Sequence, residues 1–291
     1  MATYNGQGII FSRVARENPN NEQYRLHVHD DYELLCPISG RVGYLVEGHS
    51  YDMKPGCLMI MRSAESHRLV VKGSERYERY TLNFRPEQLT RRGFSEELLA
   101  PFTHRELGER NLYAAAEFGG LEPLRLFRQM EESCETVGVE TAGFACLATL
   151  LCALHSAYLR QPDPIEITDE LGRELLDFVN ENLCSELSLA SVSEAVHMSP
   201  SQINRVFHRL TGTSVYHYAL SKRLVIAQGR LAQGETATSV AQSCGFRDYS
   251  SFYRLYKKRF GTPPSSARDA WDAKDAGMRG DACHFSFKKE K

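Results

Sequence analysis

Two histidines and a glutamate lie close together in the stretch LHVHDDYELLCPISG, which covers residues 26–40. His27 and His29 occupy alternate positions, and Glu33 follows four residues later. Alternate side chains of a β-strand share one face, so we expect both imidazoles to point the same way. With His67 further along the chain, they offer three imidazoles and a carboxylate, a donor set that suits a first-row divalent metal. Histidines satisfied by backbone groups in a barrel wall are the structural alternative.

The elements that would position these side chains are short strands. Between residues 32 and 84, the apolar runs YELLC, GYLVEG, CLMIM, HRLVV and RYTLNF are separated by turn residues. Strands at this spacing predict a small β-barrel or sandwich. From residue 121 the pattern becomes helical, and two helices follow the barrel. The segment RQPDPIEIT, residues 160–168, has two prolines beside an acid and is the best candidate for a linker.

The composition, 291 residues with 42% hydrophobic and 25% charged, is that of a soluble globular protein long enough for two domains. The eight cysteines are scattered without a C-x-x-C pair, which predicts reduced thiols in the cytoplasm. No signal peptide is evident at the N-terminus. The apolar run at 143–159 contains His155 and Ser156, so we expect a packed helix and no membrane partner.

Charge is distributed unevenly along the chain. Residues 199–268 contain eleven Lys or Arg against Glu235 and Asp248, so this segment carries +9 while the net charge of the whole chain is −2. The remainder must therefore carry −11. A basic module joined to an acidic one is typical of a nucleic-acid-binding protein with a separate, non-binding half. A merely solvated basic face is the alternative.

A well-marked helix begins after residue 198. Ser199 at the N-cap, Pro200 at the first helical position and Gln202 at the third form a capping box, and Gly212 is a typical C-terminal residue. One face of this helix is apolar. The other carries hydrogen-bonding side chains, namely Ser201, Gln202, Asn204, Arg205, His208 and Arg209.

The same arrangement recurs about 45 residues later. A short helix and a glycine turn precede Asp248, the N-cap of a helix that ends at Gly261. Its predicted outward side chains are Tyr249, Ser250, Tyr253, Arg254, Lys257 and Lys258. A short helix, a tight turn and a capped second helix form a helix-turn-helix, so the sequence predicts two DNA-reading units in tandem.

At residues 170–268 the chain resembles the AraC/XylS family of bacterial transcription regulators. The resemblance rests on LSLASVSEAVHMSPSQINRVFHRLTGTS, KRLVIAQGRLAQG and, above all, VAQSCGFRDYSSFYRLYKKRFGTPP. The sequence departs from the family pattern at Ala267 and Tyr256, where the family usually has an aromatic residue and phenylalanine. Both are packing positions, so the departures leave the expectation of DNA binding intact.

The resemblance implies that the second helix of each pair enters the major groove of double-stranded DNA. The base-contacting residues it implies are Ser201, Asn204 and Arg205, then Tyr249, Ser250, Tyr253 and Arg254. Arginine suits a guanine edge and asparagine an adenine edge. The residues it places nearer phosphates are His208, Arg209, Lys222, Lys257, Lys258 and Arg259, whose contacts would supply salt-dependent affinity.

The spacing of His27, His29, Glu33 and Gly40 resembles the first cupin motif, and that of Gly56 and His67 resembles the second. Four positions depart from the motifs: Asn21, Arg62, Ala64 and Val71. AraC-type regulators commonly carry a cupin-like sensor domain that binds a small effector, often a sugar, without chemistry. The effector site implied here consists of His27, His29, Glu33, His67, Tyr44 and Tyr80. A metal held by His27, His29, Glu33 and His67, and a metal-dependent cupin enzyme fused to a DNA-binding domain, remain as alternatives.

The helices between barrel and linker pair two protomers in related regulators. The run LATLLCALHSAYL presents one apolar side, and a homodimer through this side is our expectation. The residues of that side are Leu147, Leu150, Leu151, Leu154 and Tyr158.

Taken together, the sequence predicts an α+β two-domain protein. An N-terminal cupin-like β-barrel with a helical dimerisation element precedes a C-terminal all-α domain with two helix-turn-helix motifs. The predicted boundaries are 1–120 for the effector domain, 121–160 for the dimerisation element, 161–169 for the linker, 170–268 for the DNA-binding domain and 269–291 for a tail. We expect a cytoplasmic activator that is not an enzyme, requires no cofactor and acts with RNA polymerase. A ligand-independent regulator whose barrel only dimerises is the remaining alternative.

Overall fold

The computed structural model describes residues 2–24, 26–160, 170–267 and 269. The predicted linker at 161–169 and the predicted tail beyond residue 269 lie outside these residues. The chain forms an N-terminal β-rich domain and a C-terminal helical domain, as the sequence predicted.

Two sheets make up the N-terminal domain. The strands of the described residues are β1 (Ala2–Gly6), β2 (Ile9–Arg16), β3 (Tyr32–Ser39), β4 (Val42–Val46), β5 (His49–Asp52), β6 (Leu58–Met61), β7 (His67–Val71), β8 (Tyr77–Phe84) and β9 (Leu112–Tyr113). The larger sheet has the strand order β1-β2-β8-β3-β6-β9, and the smaller has the order β5-β4-β7. Every named pair of neighbouring strands is antiparallel.

The larger sheet is buried on both faces. One face packs against the smaller sheet, where Leu35 and Met59 meet Val46 and Leu69. The other face packs against a long helix, α3 (Pro123–Arg160). Burial on both faces explains why runs such as CLMIM are continuously apolar instead of alternating with polar residues.

Three helices accompany the barrel: α1 (Pro86–Arg91), α2 (Ala100–Thr103) and α3. The long helix α3 is interrupted at Gly138, whose φ of 81° and ψ of 156° are not helical. Two helical segments therefore follow the barrel, as the sequence predicted. By length and composition alone α3 could cross a membrane. Its leucines pack against the sheet, as those of a core helix in a globular domain do.

The leucine side of α3 is not available for pairing two protomers. Leu147, Leu150, Leu151 and Leu154 have no exposed surface and belong to the core between α3 and the larger sheet. Tyr158 is half-buried, and its hydroxyl donates a hydrogen bond of 3.0 Å to the carbonyl of His104. The expectation that this side forms a dimer interface is therefore wrong, because the barrel of the same chain already covers it.

The C-terminal domain consists of short helices around a longer one. They are α4 (Glu170–Glu181), α5 (Leu189–Ala195), α6 (Pro200–Thr211), α7 (Val215–Ala232), α8 (Ala237–Ser243) and α9 (Tyr249–Phe260). Helices α5 and α6 form the first helix-turn-helix unit and α8 and α9 the second, each with its own apolar core. The central helix α7 packs against both units.

Candidate effector pocket and nucleic-acid interface

A cluster of three histidines lies inside the barrel. His27 and His67 pair their backbones, and each N–H donates to the carbonyl of the other at 3.0 Å. The ring centroids of His27 and His67 are 4.2 Å apart, and those of His29 and His67 are 5.0 Å apart. Potential ligand atoms of all three imidazoles lie within 4.8 Å of one another. The structure thus brings together the three histidines that the sequence singled out.

Glu33 forms an ion pair with His29 in this cluster. The Nδ1 atom of His29 lies 2.9 Å from the carbonyl oxygen of Asp31, and its Nε2 lies 2.9 Å from the Glu33 carboxylate. Both partners accept hydrogen bonds, so both ring nitrogens donate and the imidazole carries a positive charge. Burial lowers the pKa of His29, but the hydrogen bond and charge of Glu33 outweigh it and raise this pKa overall.

The carboxylate of Glu33 is held in its ionised form. Burial raises its pKa, but the hydrogen bond from His29 and the nearby imidazole of His67 hold that pKa well below its usual range. His67 also uses Nδ1 for a backbone carbonyl, that of Glu65 at 2.9 Å. Its Nε2 is buried, stands 3.6 Å from Glu33 and makes no hydrogen bond within the described residues. One imidazole nitrogen therefore faces the interior with its bonding capacity unused.

Strand β8 adds polar side chains that the sequence did not single out. Asn83 pairs in register with Glu33, and its amide lies 3.5 Å from the Glu33 carboxylate. Arg79 lies on the same face of β8 as Asn83 and interacts electrostatically with Tyr44 and Glu33. The Nε atom of Arg79 is buried without a hydrogen-bond partner among the described residues. Strand β8 thus places a buried donor on the same side of the sheet as Glu33.

The two predicted tyrosines have different positions. The Tyr44 ring is buried between the sheets, and its centroid lies 6.4 Å from that of His67. Tyr80 faces the other side of the larger sheet, where its ring stacks on Phe127 at 5.7 Å and its hydroxyl donates to Glu131 at 2.6 Å. Including Tyr80 in the effector site was therefore wrong, because residues 79 and 80 alternate between the two faces of β8.

The departures from the second cupin motif have structural consequences. Arg62 directs its guanidinium to the carbonyls of Phe102 and Thr103, at 3.2 and 3.3 Å, and so fastens α2 to the barrel. Ala64 has a φ of 61°, in the left-handed region that favours glycine. An alanine thus stands in a backbone conformation that glycine adopts without steric cost.

The first DNA-reading helix, α6, has the predicted orientation. Ser199 caps it, and Gly212 ends it with a φ of 76°. Ile203 and Phe207 are fully buried, whereas the opposite face is exposed. The exposed side chains include the whole predicted set: Ser201, Gln202, Asn204, Arg205, His208 and Arg209.

The second reading helix, α9, is built in the same way. Asp248 accepts a hydrogen bond of 2.7 Å from the backbone N–H of Ser251, and Gly261 ends the helix with a φ of 75°. Most of the predicted set is exposed, namely Tyr249, Ser250, Arg254, Lys257 and Lys258. Tyr253 is half-buried. Each unit thus offers one polar helix face of a size that fits a major groove.

The barrel and the reader domain meet at a buried acid. Glu47 lies in the turn between β4 and β5, and its carboxylate accepts 2.5 and 2.7 Å hydrogen bonds from the Ser66 backbone N–H and Lys222 Nζ. Tyr218 and Asn180 complete the shell around this carboxylate. Lys222 is 2% exposed. Its predicted place near DNA phosphates is therefore wrong in this arrangement, because its charge is paired with Glu47.

A second contact joins α9 to the histidine cluster. Arg259 is 8% exposed and donates a hydrogen bond of 2.6 Å to the carbonyl oxygen of Val28. The prediction that Arg259 lies near phosphates is also wrong here, because its guanidinium is hydrogen-bonded to the barrel. Val28 lies between His27 and His29, just as Ser66 precedes His67. These two contacts between the domains thus each involve an immediate neighbour of a pocket histidine.

Comparison with known proteins identifies both domains. A family model described as an AraC-like ligand binding domain matches residues 12–134, and one described as a helix-turn-helix domain matches residues 192–270. MarA, the multiple antibiotic resistance protein of Escherichia coli, is 34% identical over 95 residues, which span 32% of this chain and 75% of MarA. The chain belongs to the AraC family.

Two further relatives, both called transcriptional activators, extend this AraC-family similarity beyond the reader domain. RhrA of Rhizobium meliloti is 33% identical over 148 residues, covering 49% of this chain and 45% of RhrA. RhaS of Escherichia fergusonii is 24% identical over 263 residues, covering 85% of this chain and 88% of RhaS. The chain thus spans about half the length of RhrA but most of RhaS.

Three residues that matter in this AraC-family protein lie outside the set predicted from the sequence. Arg79 and Asn83 alternate with apolar residues in RYTLNF, a pattern that also fits a strand with one solvated face. Glu47 stands before Gly48 and resembles an ordinary surface turn. The alternation in RYTLNF was a usable signal for the first two. For Glu47 the signal would have been an acid in a turn at a left-handed φ of 46°, which the sequence does not reveal.

Proposed function

We propose that this AraC-family chain is a sequence-specific transcription regulator whose barrel senses a small molecule and controls the reader helices. The observation that carries the proposal is that Arg259 of α9 and the Glu47–Lys222 pair attach next to the pocket histidines. A ligand that displaces the segment around Val28 changes the acceptor available to Arg259. Occupancy of the pocket would then alter the position of α9, which offers side chains to DNA.

The regulator is an activator in this proposal, acting in the cytoplasm with RNA polymerase. The printed names of RhrA and RhaS, both transcriptional activators, support this sign of regulation. A homodimer also belongs to the proposal, although its surface is not the leucine side of α3. A ligand shifts such an equilibrium only by its difference in affinity for the two arrangements. The effector must therefore bind more tightly when the reader domain is released.

A carbohydrate is the effector class that we propose. Sugar hydroxyls need planar hydrogen-bonding groups and an aromatic surface, and the pocket offers both. Arg79 provides a buried, unused Nε donor and His67 an unused Nε2. Glu33 is an ionised acceptor, and the Tyr44 ring lies beside His67. Binding without turnover is part of the proposal, because a fold does not bring its commonest activity with it.

A divalent metal in the same pocket is the second candidate, and one observation favours it. His67 directs Nδ1 to a backbone carbonyl, an arrangement typical of metal-binding imidazoles because it leaves Nε2 for the metal. His29 also directs Nδ1 to a carbonyl, but it would bind a metal only after Nε2 loses its proton and its bond to Glu33. His27 has a potential ligand atom within 4.8 Å of the other two. The three histidines and Glu33 therefore fit the donor set of a first-row metal. When bound, such a metal would anchor the hydroxyl oxygens of an effector as a Lewis acid.

A thermal-shift screen of the full chain against neutral and acidic sugars tests the effector. A ligand that binds the folded state raises the melting temperature. We expect such a shift in the wild type and in Tyr80→Phe, and its loss in Arg79→Met. No shift with any sugar would favour the ligand-independent regulator. Elemental analysis of the same protein tests the metal, and near-stoichiometric metal that disappears in His67→Phe would support it.

DNA recognition is tested by selection from randomised duplexes followed by footprinting. We expect one selected sequence family and two protected major-groove segments per protomer, about one helical turn apart. A single protected segment, or selection that returns no sequence preference, would contradict the tandem readers. The two experiments are independent, so the sensing and DNA-binding parts of the proposal can fail separately.

A further inference from the structure

Two cysteines meet where the two helix-turn-helix units adjoin. Cys184 lies in the turn after α4 and is exposed, whereas Cys244 caps α8 and is buried. The two side chains are close enough for each to shift the pKa of the other. The backbones are also close, since a Cβ placed on Gly245 would lie 2.9 Å from the carbonyl carbon of Cys184. The glycine turn of the second unit thus rests directly on the turn that precedes the first.

One guanidinium holds these two turns together. Arg223 of α7 donates hydrogen bonds of 2.8 Å to the carbonyls of Gly245 and Ser185, one on each side of the cysteine pair. It also donates to the carbonyl of Leu183. These bonds fix the separation of the two turns and place a positive charge beside Cys184. The two cysteines therefore lie on adjacent, braced turns in an electropositive setting.

The setting favours the thiolate of Cys184. The hydrogen bond from Cys244 lowers its pKa most, burial opposes this, and Arg223 and Arg230 assist, so that the pKa of Cys184 falls to about 6. The same pairing raises the pKa of Cys244. The thiolate is the reactive form of cysteine. An exposed thiolate beside a second thiol is the arrangement found in redox-sensing cysteine pairs.

We propose that Cys184 and Cys244 form a reversible disulfide when the protein meets hydrogen peroxide. The Cys184 thiolate attacks one peroxide oxygen, the O–O bond breaks, and a sulfenic acid and hydroxide result. The sulfur of Cys244 then attacks the Cys184 sulfur, and the thiol proton leaves with the displaced hydroxyl as water. Two thiols are oxidised by two electrons in total, and peroxide is reduced to two waters. A small dithiol reverses the step by thiol–disulfide exchange.

The disulfide would join the two DNA-reading units to each other. Cys184 lies in the turn between α4 and α5, on the N-terminal side of the first unit, and Cys244 lies in the turn between α8 and α9. A covalent bond between them would restrain how far the two reading helices can move apart. A cavity of about 820 Å³ borders Cys184, Arg223 and Gly245, and it gives peroxide and reductant a route to the pair. This site is separate from the barrel pocket and does not depend on the effector.

The test uses the full chain treated with stoichiometric peroxide and then digested without reduction. We expect a peptide pair joined through Cys184 and Cys244, a mass loss of two hydrogens, and reversal by dithiothreitol. Cys152 is the matched control, because it is also exposed but lies on α3. Cys152→Ser should form the disulfide as the wild type does, and Cys184→Ser should not. A wild-type protein with no such peptide pair would overturn the proposal.

Two measurements keep the test decisive if a variant folds poorly. In Cys244→Ala, with folding checked by circular dichroism, Cys184 should accumulate as a sulfenic acid that dimedone labels. In the wild type, the rate of iodoacetamide alkylation at Cys184 should reach half its maximum near pH 6, because the rate follows the thiolate fraction. A half-maximum above about pH 8, close to the pKa of an unperturbed thiol, would overturn the proposal. Equal alkylation rates at Cys184 and Cys152 at about pH 6.5, where an unperturbed thiol is mostly protonated, would also overturn it.

Discussion

Arg259 donates a hydrogen bond of 2.6 Å to the carbonyl oxygen of Val28, the residue between His27 and His29. The donor belongs to a helix that offers side chains to DNA, and the acceptor belongs to the segment that carries two pocket imidazoles. A single hydrogen bond therefore connects the segment that carries the pocket histidines to the reader helix α9. No change in the predicted linker is needed for the pocket to affect α9.

Replacing Arg259 should affect DNA binding differently from replacing its neighbour. Lys258 is exposed on α9, whereas Arg259 is engaged by the barrel. A lost phosphate contact lowers the slope of log affinity against log salt by about 1. We expect this reduction for Lys258→Ala and no change for Arg259→Ala, measured by fluorescence anisotropy on a selected duplex without effector. Equal reductions would mean that Arg259 contacts phosphate and that the domains separate on DNA.

The Glu47–Lys222 pair should behave as a buried ion pair in a double-mutant cycle. Removing one partner leaves the other charge buried, at a cost of about 3–5 kcal/mol in unfolding free energy. We expect Glu47→Gln and Lys222→Met each to show this loss in urea unfolding, and the double variant to lose much less than their sum.

The exposed pair Arg247–Glu186 is the matched control for this cycle. Its side chains are 86% and 83% exposed, so its coupling should stay below about 1 kcal/mol. Additive losses at Glu47 and Lys222 would show that the two domains are not docked in solution as they are here.

Ala64→Gly should stabilise the barrel. Ala64 has a φ of 61°, and the left-handed region costs a residue with a Cβ about 1–2 kcal/mol. Glycine removes this cost but gains freedom in the unfolded chain, so the net gain should be at most about 1 kcal/mol. Ala148→Gly in helix α3 is the control and should destabilise by about 0.5–1 kcal/mol. Thermal unfolding of both variants checks the opposite signs, and a lower melting temperature for Ala64→Gly would refute the assignment of strain.

Leu151→Arg should unfold the sensor domain instead of producing a folded monomer. Leu151 has no exposed surface and packs in the core between α3 and the larger sheet. The loss of unfolding free energy from an unpaired charge there exceeds the range usual for single substitutions, about 0.5–3 kcal/mol. Thr149→Arg on the exposed side should change stability by no more than about 0.5 kcal/mol. Circular dichroism and sedimentation separate the outcomes, and a folded, monomeric Leu151→Arg would restore the leucine side as an interface.

Sequence reasoning succeeded where the signal is local. Helix caps such as Ser199 and Asp248 are local, because a side chain and the backbone a few residues away satisfy each other. The exposed faces of α6 and α9 follow from helical spacing once those caps fix the start. The family resemblance in the reader domain rested on the same residues, which is why fold and family could be predicted together.

It failed where the outcome depends on which other part of the chain covers a surface. The leucine side of α3 is apolar whether a second protomer or the barrel covers it, and spacing does not distinguish the two. Tyr80 and Arg79 differ by one position, so only the register of β8 decides which faces the pocket. Lys222 and Arg259 have the composition of phosphate contacts, yet both are bound to residues of another domain.

The turn at Glu47 contributes little net free energy to the docked arrangement. Glu47 has a φ of 46° before Gly48 at 85°, a pair of left-handed residues that a two-residue hairpin needs but that a glutamate side chain disfavours. Burial also desolvates the Glu47 carboxylate, and the free-energy cost of this desolvation nearly cancels its attraction to Lys222. The contact between Glu47 and Lys222 is thus specific in geometry but adds little net free energy. A reversible signal requires this, since an effector of ordinary affinity can then tip the balance in either direction.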